Sequence, residues 1–341
     1  RGQGYLDLAD GRLTARELDE LVIARLRAER VHLVLDSCNS YFLLSPRKPG
    51  GKRWSNPQDA PRDLLAKYPH VGALLSTSAE AVTYEWSEIQ SGVFSYEVRA
   101  GLRGAADLNA DGQITYAELS GFIRVANRPI VNDLYRPKVF SRSPAADQRR
   151  DDAVIAELPR SAPRRLILGP DTRRRLTLRD HHGVRLLDLH KERGTSALLT
   201  LPPSAALSVQ ERVASAERPT LTDYALPDAG ELQLEALHAR TAEQQGRGEP
   251  PLFDMLFAEP FGTESFERAL NEAKAHDEAP TGVTERDAER LRLHLSLIGR
   301  QAAGSRKDLA ASLLLTGAIP TAALTYSVYR SSDHRGDWVD R

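Results

Sequence analysis

The strongest constraint on the fold is a strand–helix–strand alternation near the start of the chain. Residues 31–35 (Val-His-Leu-Val-Leu) and 71–75 are short apolar runs, and a helix is predicted between them at residues 62–68. Such alternation is typical of a parallel sheet with helices on its faces, and ligands bind beyond the carboxyl ends of its strands. We therefore expect Cys38 and residues 76–80 to lie at the same edge of one sheet.

Two further helices are predicted on either side of this alternation. Thr14 and Glu17 have the spacing of a capping box, and apolar residues recur at helical spacing after them, which predicts a helix over residues 14–30. A second helix is predicted over residues 91–102 and leads into an acidic loop.

Composition excludes several classes of function. The 341 residues include 46 basic and 47 acidic side chains, a net charge of −1, so no long-range field attracts nucleic acid or anionic membranes. One cysteine excludes an intrachain disulfide and a thiolate-rich metal site, which predicts a reducing, cytoplasmic location. Residues 309–329 carry no charge and are long enough to cross a bilayer, but Gly317 and Pro320 are equally compatible with a buried helical hairpin. A membrane association is therefore not our main expectation.

The single cysteine follows the first apolar run, where a thiol could reach a substrate while its backbone stays rigid. A small buried side chain is the alternative role for a free cysteine. Residues 33–40 (Leu-Val-Leu-Asp-Ser-Cys-Asn-Ser) resemble the nucleophile segment of the caspase and metacaspase superfamily, and the resemblance continues through residues 75–80, Glu85-Trp86 and residues 92–95 (Gly-Val-Phe-Ser). Asn39 departs from the pattern, because metacaspases usually carry His there.

The resemblance implies a cysteine-type endopeptidase with a Cys-His dyad, in which Cys38 is the nucleophile. The chain contains no Ser-Gly-His motif, and His32 precedes Cys38 on the same strand at the wrong end, so the dyad His is expected on an N-terminal fragment upstream of Arg1. Asp36 matches an acidic residue of the substrate pocket and Glu85 a second acidic wall. Such a pocket selects Arg or Lys, so the expected substrates are proteins with exposed basic sites. A turn or capping role is the alternative for both acids.

The acidic loop at residues 107–118 fills the EF-hand calcium template. Carboxylate, amide and hydroxyl oxygens at these positions suit a hard cation that takes six to eight oxygen ligands, which favours Ca²⁺ over Mg²⁺. The expected role is structural or regulatory, and the alternative is a helix-to-helix turn that binds no metal. The predicted ligands are Asp107, Asn109, Asp111, the backbone of Gln113, Thr115 and Glu118, with Gly112 at the sharp turn.

The predicted fold class is α/β, with a caspase-like three-layer α/β/α sheet whose N-terminal strands precede this chain. The expected divisions are the C-terminal portion of a peptidase domain at 1–140, a linker at 141–164, a β-rich sandwich-like domain at 165–260 and a helical region at 261–341. Alternative functions are a catalytically inactive caspase-like scaffold, a calcium-regulated interaction module, or a membrane-tethered protease. In bacteria, caspase-like proteins are associated with defence or regulated cell death, which is an implication of the resemblance alone.

Overall fold

The computed structural model has a mixed α/β fold with several sheets and few helices, which confirms the α/β class in general terms. Its caspase-like details remain predictions. The structure describes residues 5–8, 11–36, 62–76, 85–86, 91–130, 136–145, 153–159, 161–203, 206–213, 220–228, 230–241, 255–278, 327–332 and 335–340.

The chain begins with a hairpin and an irregular helix. Strands β1 (Tyr5–Leu8) and β2 (Gly11–Thr14) pair antiparallel, and α1 (Ala15–Glu17) follows at once. The predicted capping box is confirmed: the Glu17 N–H donates to Thr14 Oγ1 at 3.2 Å, and the Thr14 N–H donates to Glu17 Oε2 at 2.8 Å. This reciprocal pairing satisfies donors that the first turn of a helix otherwise leaves unpaired.

The helix continues with π and 3₁₀ geometry and is shorter than predicted. A π turn at Leu18–Val22 is followed by a 3₁₀ turn at Ile23–Arg25, so the helix ends before residue 30. In a π turn residues i and i+5 share a face, and Leu18 and Ile23 are accordingly the buried pair. Leu21 is exposed, although the regular 3.6-residue period had placed it on the buried face.

The predicted parallel pair forms two adjacent strands of a three-stranded sheet. Val31 pairs with Val71 and Leu35 with Leu75, so both strands end at the same edge. Every residue of the second strand is buried, and this strand lies between two neighbouring strands. The elements are β3 (Val31–Leu35), α2 (Arg62–Lys67), β4 (Val71–Ser76) and β8 (Val139–Arg142), which runs antiparallel to β4.

The segment after this parallel pair contains a small hairpin and two helices. Residues 91–102, predicted as one helix, begin instead as a strand and continue as helix α3, which ends in a π turn at Gly101–Ala105. Gly104 ends this turn with φ 111°, a conformation that favours glycine. The elements are β5 (Glu85–Trp86), β6 (Ser91–Gly92), α3 (Val93–Ala100), β7 (Gln113–Thr115) and α4 (Tyr116–Asn127).

The region predicted to be β-rich contains two sheets. The larger sheet is antiparallel throughout, with the order β12 (Arg185–Lys191), β11 (Arg174–Asp180), β14 (Leu207–Val213), β15 (Thr220–Leu226) and β17 (Ala239–Thr241). The smaller has the order β13 (Ala197–Thr200), β10 (Arg164–Leu168) and β16 (Gly230–Gln233), and its β10–β16 pair is parallel, unlike the expected antiparallel arrangement.

One apolar core joins the helices to these sheets. A single cluster of buried side chains runs from α3 and α4 into both sheets, including Phe94, Phe122, Leu178 and Leu189. Part of the expected linker is also ordered, because β9 (Val154–Glu157) pairs antiparallel with β7. The two regions therefore pack as neighbours through a shared core.

The C-terminal region contains a helix and a hairpin. Helix α5 (Thr263–Glu278) agrees with the predicted helical composition, whereas the antiparallel pair β18 (Ser327–Ser332) and β19 (Arg335–Asp340) was not predicted. Residues 309–326 lie outside the described residues. Within the described part of the chain, each helix is too short or too polar to cross a bilayer.

Candidate functional site

Asp36, one of the two predicted pocket acids, lies directly after β3 and caps helix α3. Its Oδ2 accepts hydrogen bonds from the Ser95 N–H at 3.1 Å and from Ser95 Oγ at 2.5 Å. Ser95 is the third residue of α3, and the N-cap, Gly92, has no side chain to accept from these donors. Asp36 therefore provides the cap from a different element of the fold.

The close approach of these elements explains why glycine precedes the helix. A Cβ on Gly92 would lie 2.6 Å from Asp36 Oδ2, so any other residue there would require the Asp36 carboxylate to move. Glu85, the second predicted pocket acid, pairs with Gly92 in the β5–β6 ladder. The backbone of Glu85 therefore lies near Asp36 through Gly92, whereas the Glu85 side chain lies outside the described residues.

The second oxygen of Asp36 has a different environment. Oδ1 is shielded from solvent, and no hydrogen-bond donor contacts it within the described part of the chain. Cys38 lies outside the described residues. It is two positions after Asp36, so its Cα lies within about 7 Å of the Asp36 Cα.

Glu97 and Asn127 form a buried polar pair that the sequence analysis missed. Both side chains are fully buried, and Asn127 Nδ2 donates to Glu97 Oε2 at 2.7 Å. Burial raises the pKa of Glu97 well above its ordinary value; the hydrogen bond from Asn127 opposes that rise and the charge of Asp36 adds to it. A sequence signal existed, because Glu97 lies one helical turn after Val93 on the apolar side of α3.

Two of the described histidines, His32 and His190, contact side chains of other parts of the fold. His32 Nδ1 lies 2.8 Å from the Tyr116 hydroxyl, and its position four residues before Asp36 puts it about 13 Å away along the strand. His190 Nε2 accepts from Arg173 at 3.1 Å, and burial lowers its pKa to about 4. Within the described residues, no histidine hydrogen-bonds to Asp36.

In the predicted calcium loop, side-chain oxygens accept hydrogen bonds from backbone N–H groups of the same loop. Asp107 Oδ2 accepts from the Gly112 N–H at 2.9 Å, and Asp111 Oδ1 accepts from the Gln113 N–H at 2.7 Å. Asn109 Oδ1 accepts from the Asp111 N–H at 3.0 Å. Gly112 has φ 82°, as expected for the glycine at the sharp turn.

The end of the loop overlaps the start of α4. Glu118 Oε2 accepts from the Thr115 N–H at 2.9 Å and from its hydroxyl at 2.8 Å, which forms a second capping box. Glu118 Oε1 accepts from the Leu108 N–H at 3.1 Å, so the carboxylate lies across the loop toward Asp107. Strand β7 also anchors the loop, because Ile114 pairs with Ala156 of β9.

Two carboxylates of the loop have raised pKa values. Burial raises the pKa of both Asp107 and Glu118; the charge of Asp111 adds to the rise at Asp107, and that of Asp107 to the rise at Glu118. In the described residues, no three acidic, histidine or cysteine side chains converge as a metal site. The oxygens of the predicted ligands are of the type that Ca²⁺ prefers.

Comparison with known proteins adds no relative. Protein-family models, curated proteins and solved structures were compared with the chain, and none of them matches it. The chemistry of the Asp36 region and of the 107–118 loop therefore has to be interpreted from their own residues.

Proposed function

We propose that this chain is the nucleophile-bearing part of a cysteine endopeptidase that cleaves after Arg or Lys. The observation that supports this function most directly is the state of the Asp36 carboxylate. One oxygen is fixed by Ser95, and the other is buried without a donor among the described residues, two positions before the only thiol. A buried carboxylate oxygen in this state suits a cationic substrate group.

In the proposed reaction, the Cys38 thiolate attacks the carbonyl carbon of the scissile peptide bond. The dyad His, expected on the N-terminal fragment, takes the thiol proton and then gives it to the leaving amine as the carbon–nitrogen bond breaks. A thioester forms between Cys38 and the first product. Water then attacks this thioester, releases the carboxylic acid product and restores the thiol.

Asp36 sets the specificity of this reaction. The N–H and the hydroxyl of Ser95, in the first turn of α3, hold its carboxylate in place. The guanidinium of a substrate Arg, or the ammonium of Lys, supplies the missing donor to Oδ1. The backbone of Glu85 lies beside the same turn through its pairing with Gly92, so a second carboxylate strengthens the preference for basic residues.

The test uses the full natural protein with fluorogenic peptides that differ only in the residue before the cut. We expect cleavage after Arg and Lys, none after Asp, and background rates for Cys38→Ala. Asp36→Asn should lower kcat/KM for Arg peptides about 100-fold, because a hydrogen bond to a charged group contributes about 2–3 kcal/mol. The exposed Asp171→Asn is the matched control and should change nothing.

Two results would contradict the proposal. Activity near wild type in Cys38→Ala would show that Cys38 is not the nucleophile. A preference for Asp would show that the pocket is not acidic. No cleavage by the natural protein would favour the inactive scaffold.

We also propose that the 107–118 loop binds Ca²⁺. The support is a pair of buried carboxylates in one short loop, Asp107 and Glu118, whose pKa values are raised chiefly by burial. The charge of the exposed Asp111 adds to the rise at Asp107, and a cation would offset this repulsion. The oxygens of Asp107, Asp111 and Glu118, with those of Asn109, Thr115 and the Gln113 carbonyl, would hold the ion. Its contribution would be to stability, since an ion that binds only the folded state at 100 times its Kd contributes about 2.7 kcal/mol.

Calorimetry with Ca²⁺ and Mg²⁺ tests this site. We expect binding heat and a higher melting temperature with Ca²⁺, and weaker effects with Mg²⁺, which requires a tighter octahedron. Glu118→Gln should lose both effects but remain folded, because Gln at this position also supports a capping box. The absence of heat and of a melting shift in the wild type would leave the loop as a structural turn.

A further inference from the structure

The buried pair of Glu97 and Asn127 joins the helix that carries the Asp36 cap to the helix that follows the calcium loop. Glu97 lies in α3 and Asn127 is the last residue of α4, and neither side chain reaches solvent. Asn127 Nδ2 donates to Glu97 Oε2 at 2.7 Å and to the Ile123 carbonyl at 2.9 Å. Both hydrogens of this amide group are therefore used.

One oxygen remains on each side chain. Glu97 Oε1 and Asn127 Oδ1 are both buried, and neither has a hydrogen-bond partner among the described residues. If Glu97 were ionised, both oxygens would be acceptors, and a full charge would be buried without a cation beside it among the described residues. A buried polar group in that state costs free energy comparable to a lost hydrogen bond, and a buried charge costs more.

We propose that Glu97 is a neutral carboxylic acid at neutral pH and that its Oε1–H donates to Asn127 Oδ1, which closes an acid–amide pair. A single proton then satisfies both remaining oxygens and removes the buried charge. Each group donates once to the other, so the pair holds α3 against α4 by two hydrogen bonds.

The surrounding charges agree with this protonation. Asp36, from the end of β3, is the charged group whose repulsion adds to the effect of burial on the pKa of Glu97. From β12, Arg185 is already bound to Asp188. From the π turn after α3, Arg103 has its pKa lowered chiefly by burial and does not act on Glu97. Strand β6 consists of Ser91 and Gly92, and Asn127 is the residue of α4 that contacts Glu97. None of these three residues titrates.

The pair gives Glu97 a positioning role in the proposed peptidase, and this step rests on that function. Ser95, two residues before Glu97, holds the Asp36 carboxylate. A neutral Glu97 adds no second charge beside Asp36, and its pairing with Asn127 fixes the turn of α3 that holds Asp36. Ionisation of Glu97 at alkaline pH would break the pair, displace that turn and weaken the recognition of basic substrates.

The first test concerns the proton and needs no catalysis. The infrared spectrum of the wild type at pH 7 should contain the C=O stretch of a protonated carboxylic acid. Glu97→Gln should abolish that band. The exposed Glu29→Gln is the matched control and should keep it. Gln is isosteric and its amide donates to Asn127 Oδ1, so the variant should fold.

Stability against pH gives a second measurement. The folded state retains a proton that the unfolded state releases above about pH 4.5, so the unfolding constant should rise up to ten-fold per pH unit until Glu97 ionises in the folded protein. Glu97→Gln should remove this contribution, whereas Glu29→Gln should not. A wild type without the band, or with the same pH slope as Glu97→Gln, would overturn the acid–amide pair.

The positioning role is tested by kcat/KM for Arg peptides against pH. The wild type should lose activity on the alkaline side mainly through KM, and Glu97→Gln should keep its activity to higher pH. Identical alkaline limits in the two proteins would overturn the positioning role. A wild type with the band and the slope but no peptidase activity would count against the proposed function alone.

Discussion

Arg185→Met is the substitution with the best-defined consequence for stability. Asp188 is a buried carboxylate that four hydrogen bonds satisfy: Arg185 Nη2 donates to Oδ1 at 2.7 Å and Nε to Oδ2 at 3.1 Å. The Thr177 hydroxyl donates to Oδ1 at 2.6 Å, and the Tyr96 hydroxyl donates to Oδ2 at 2.5 Å. Tyr96 belongs to α3 and the other three residues to the large sheet, so the network ties the two regions together.

The expected loss of stability follows from the buried carboxylate of Asp188, which the substitution leaves without its cation. Both Arg185 and Asp188 are only 4% exposed, so removal of the cation leaves an uncompensated carboxylate in the core. We expect Arg185→Met to lower the free energy of unfolding by about 3–5 kcal/mol at pH 7. The matched control is Arg165→Met, which breaks the half-exposed pair with Glu231 and should cost less than about 1 kcal/mol.

The pH dependence separates lost charge pairing from lost packing. Burial alone would raise the pKa of Asp188, but Arg185 and the hydrogen bonds hold it below its ordinary value. The wild type therefore loses this stability as the pH falls through the depressed pKa. Without Arg185 the effect of burial remains, so protonation of Asp188 should relieve the variant and its deficit should shrink between pH 7 and pH 4. Urea denaturation followed by circular dichroism measures both effects. A cost equal to that of Arg165→Met, or a deficit independent of pH, would refute the reasoning.

Two other predictions concern packing and titration. Gly104→Ala should lower the melting temperature clearly more than Gly169→Ala. Gly104 has φ 111° and its added Cβ would lie 2.0 Å from the Leu198 carbonyl oxygen, whereas a Cβ on Gly169 would enter open space. Equal melting temperatures of the two variants would contradict the close approach at Gly104. The His190 ring should titrate near pH 4 in an NMR titration, because burial disfavours its charged form, so its contribution to stability falls as the pH drops below about 6.5; a midpoint near 6.5 would contradict that environment.

The sequence predicted the features that depend on neighbouring residues. The capping box at Thr14 and Glu17 and the turn at Gly112 follow from local patterns, and the order of strand, helix and strand predicted the parallel pairing of β3 with β4. These patterns work because hydrogen bonds within a few residues, or apolar runs of strand length, determine the element.

Features that depend on distant contacts could not be predicted. Asp36 caps a helix whose first turn lies 59 positions further along the chain. The buried state of Glu97 depends on Asn127, which belongs to a separate helix. The shared core of α3, α4 and the β-rich sheets also arises from packing between regions that the composition had suggested were separate. A periodic pattern within one stretch of sequence does not predict contacts between separate stretches.

The two proposed sites are connected by a defined physical route. Glu118 lies in the first turn of α4 and Asn127 at its end, about 14 Å apart at 1.5 Å per residue. From Asn127 the route crosses to Glu97 and then to Ser95, which holds Asp36. Strand β7 of the loop pairs with β9, and α4 is buried along most of its length. If the loop binds calcium as proposed, the ion would act beside packed elements, so its effect on stability should exceed its effect on the Asp36 pocket, and the Glu97–Asn127 contact is the step at which any coupling would be lost.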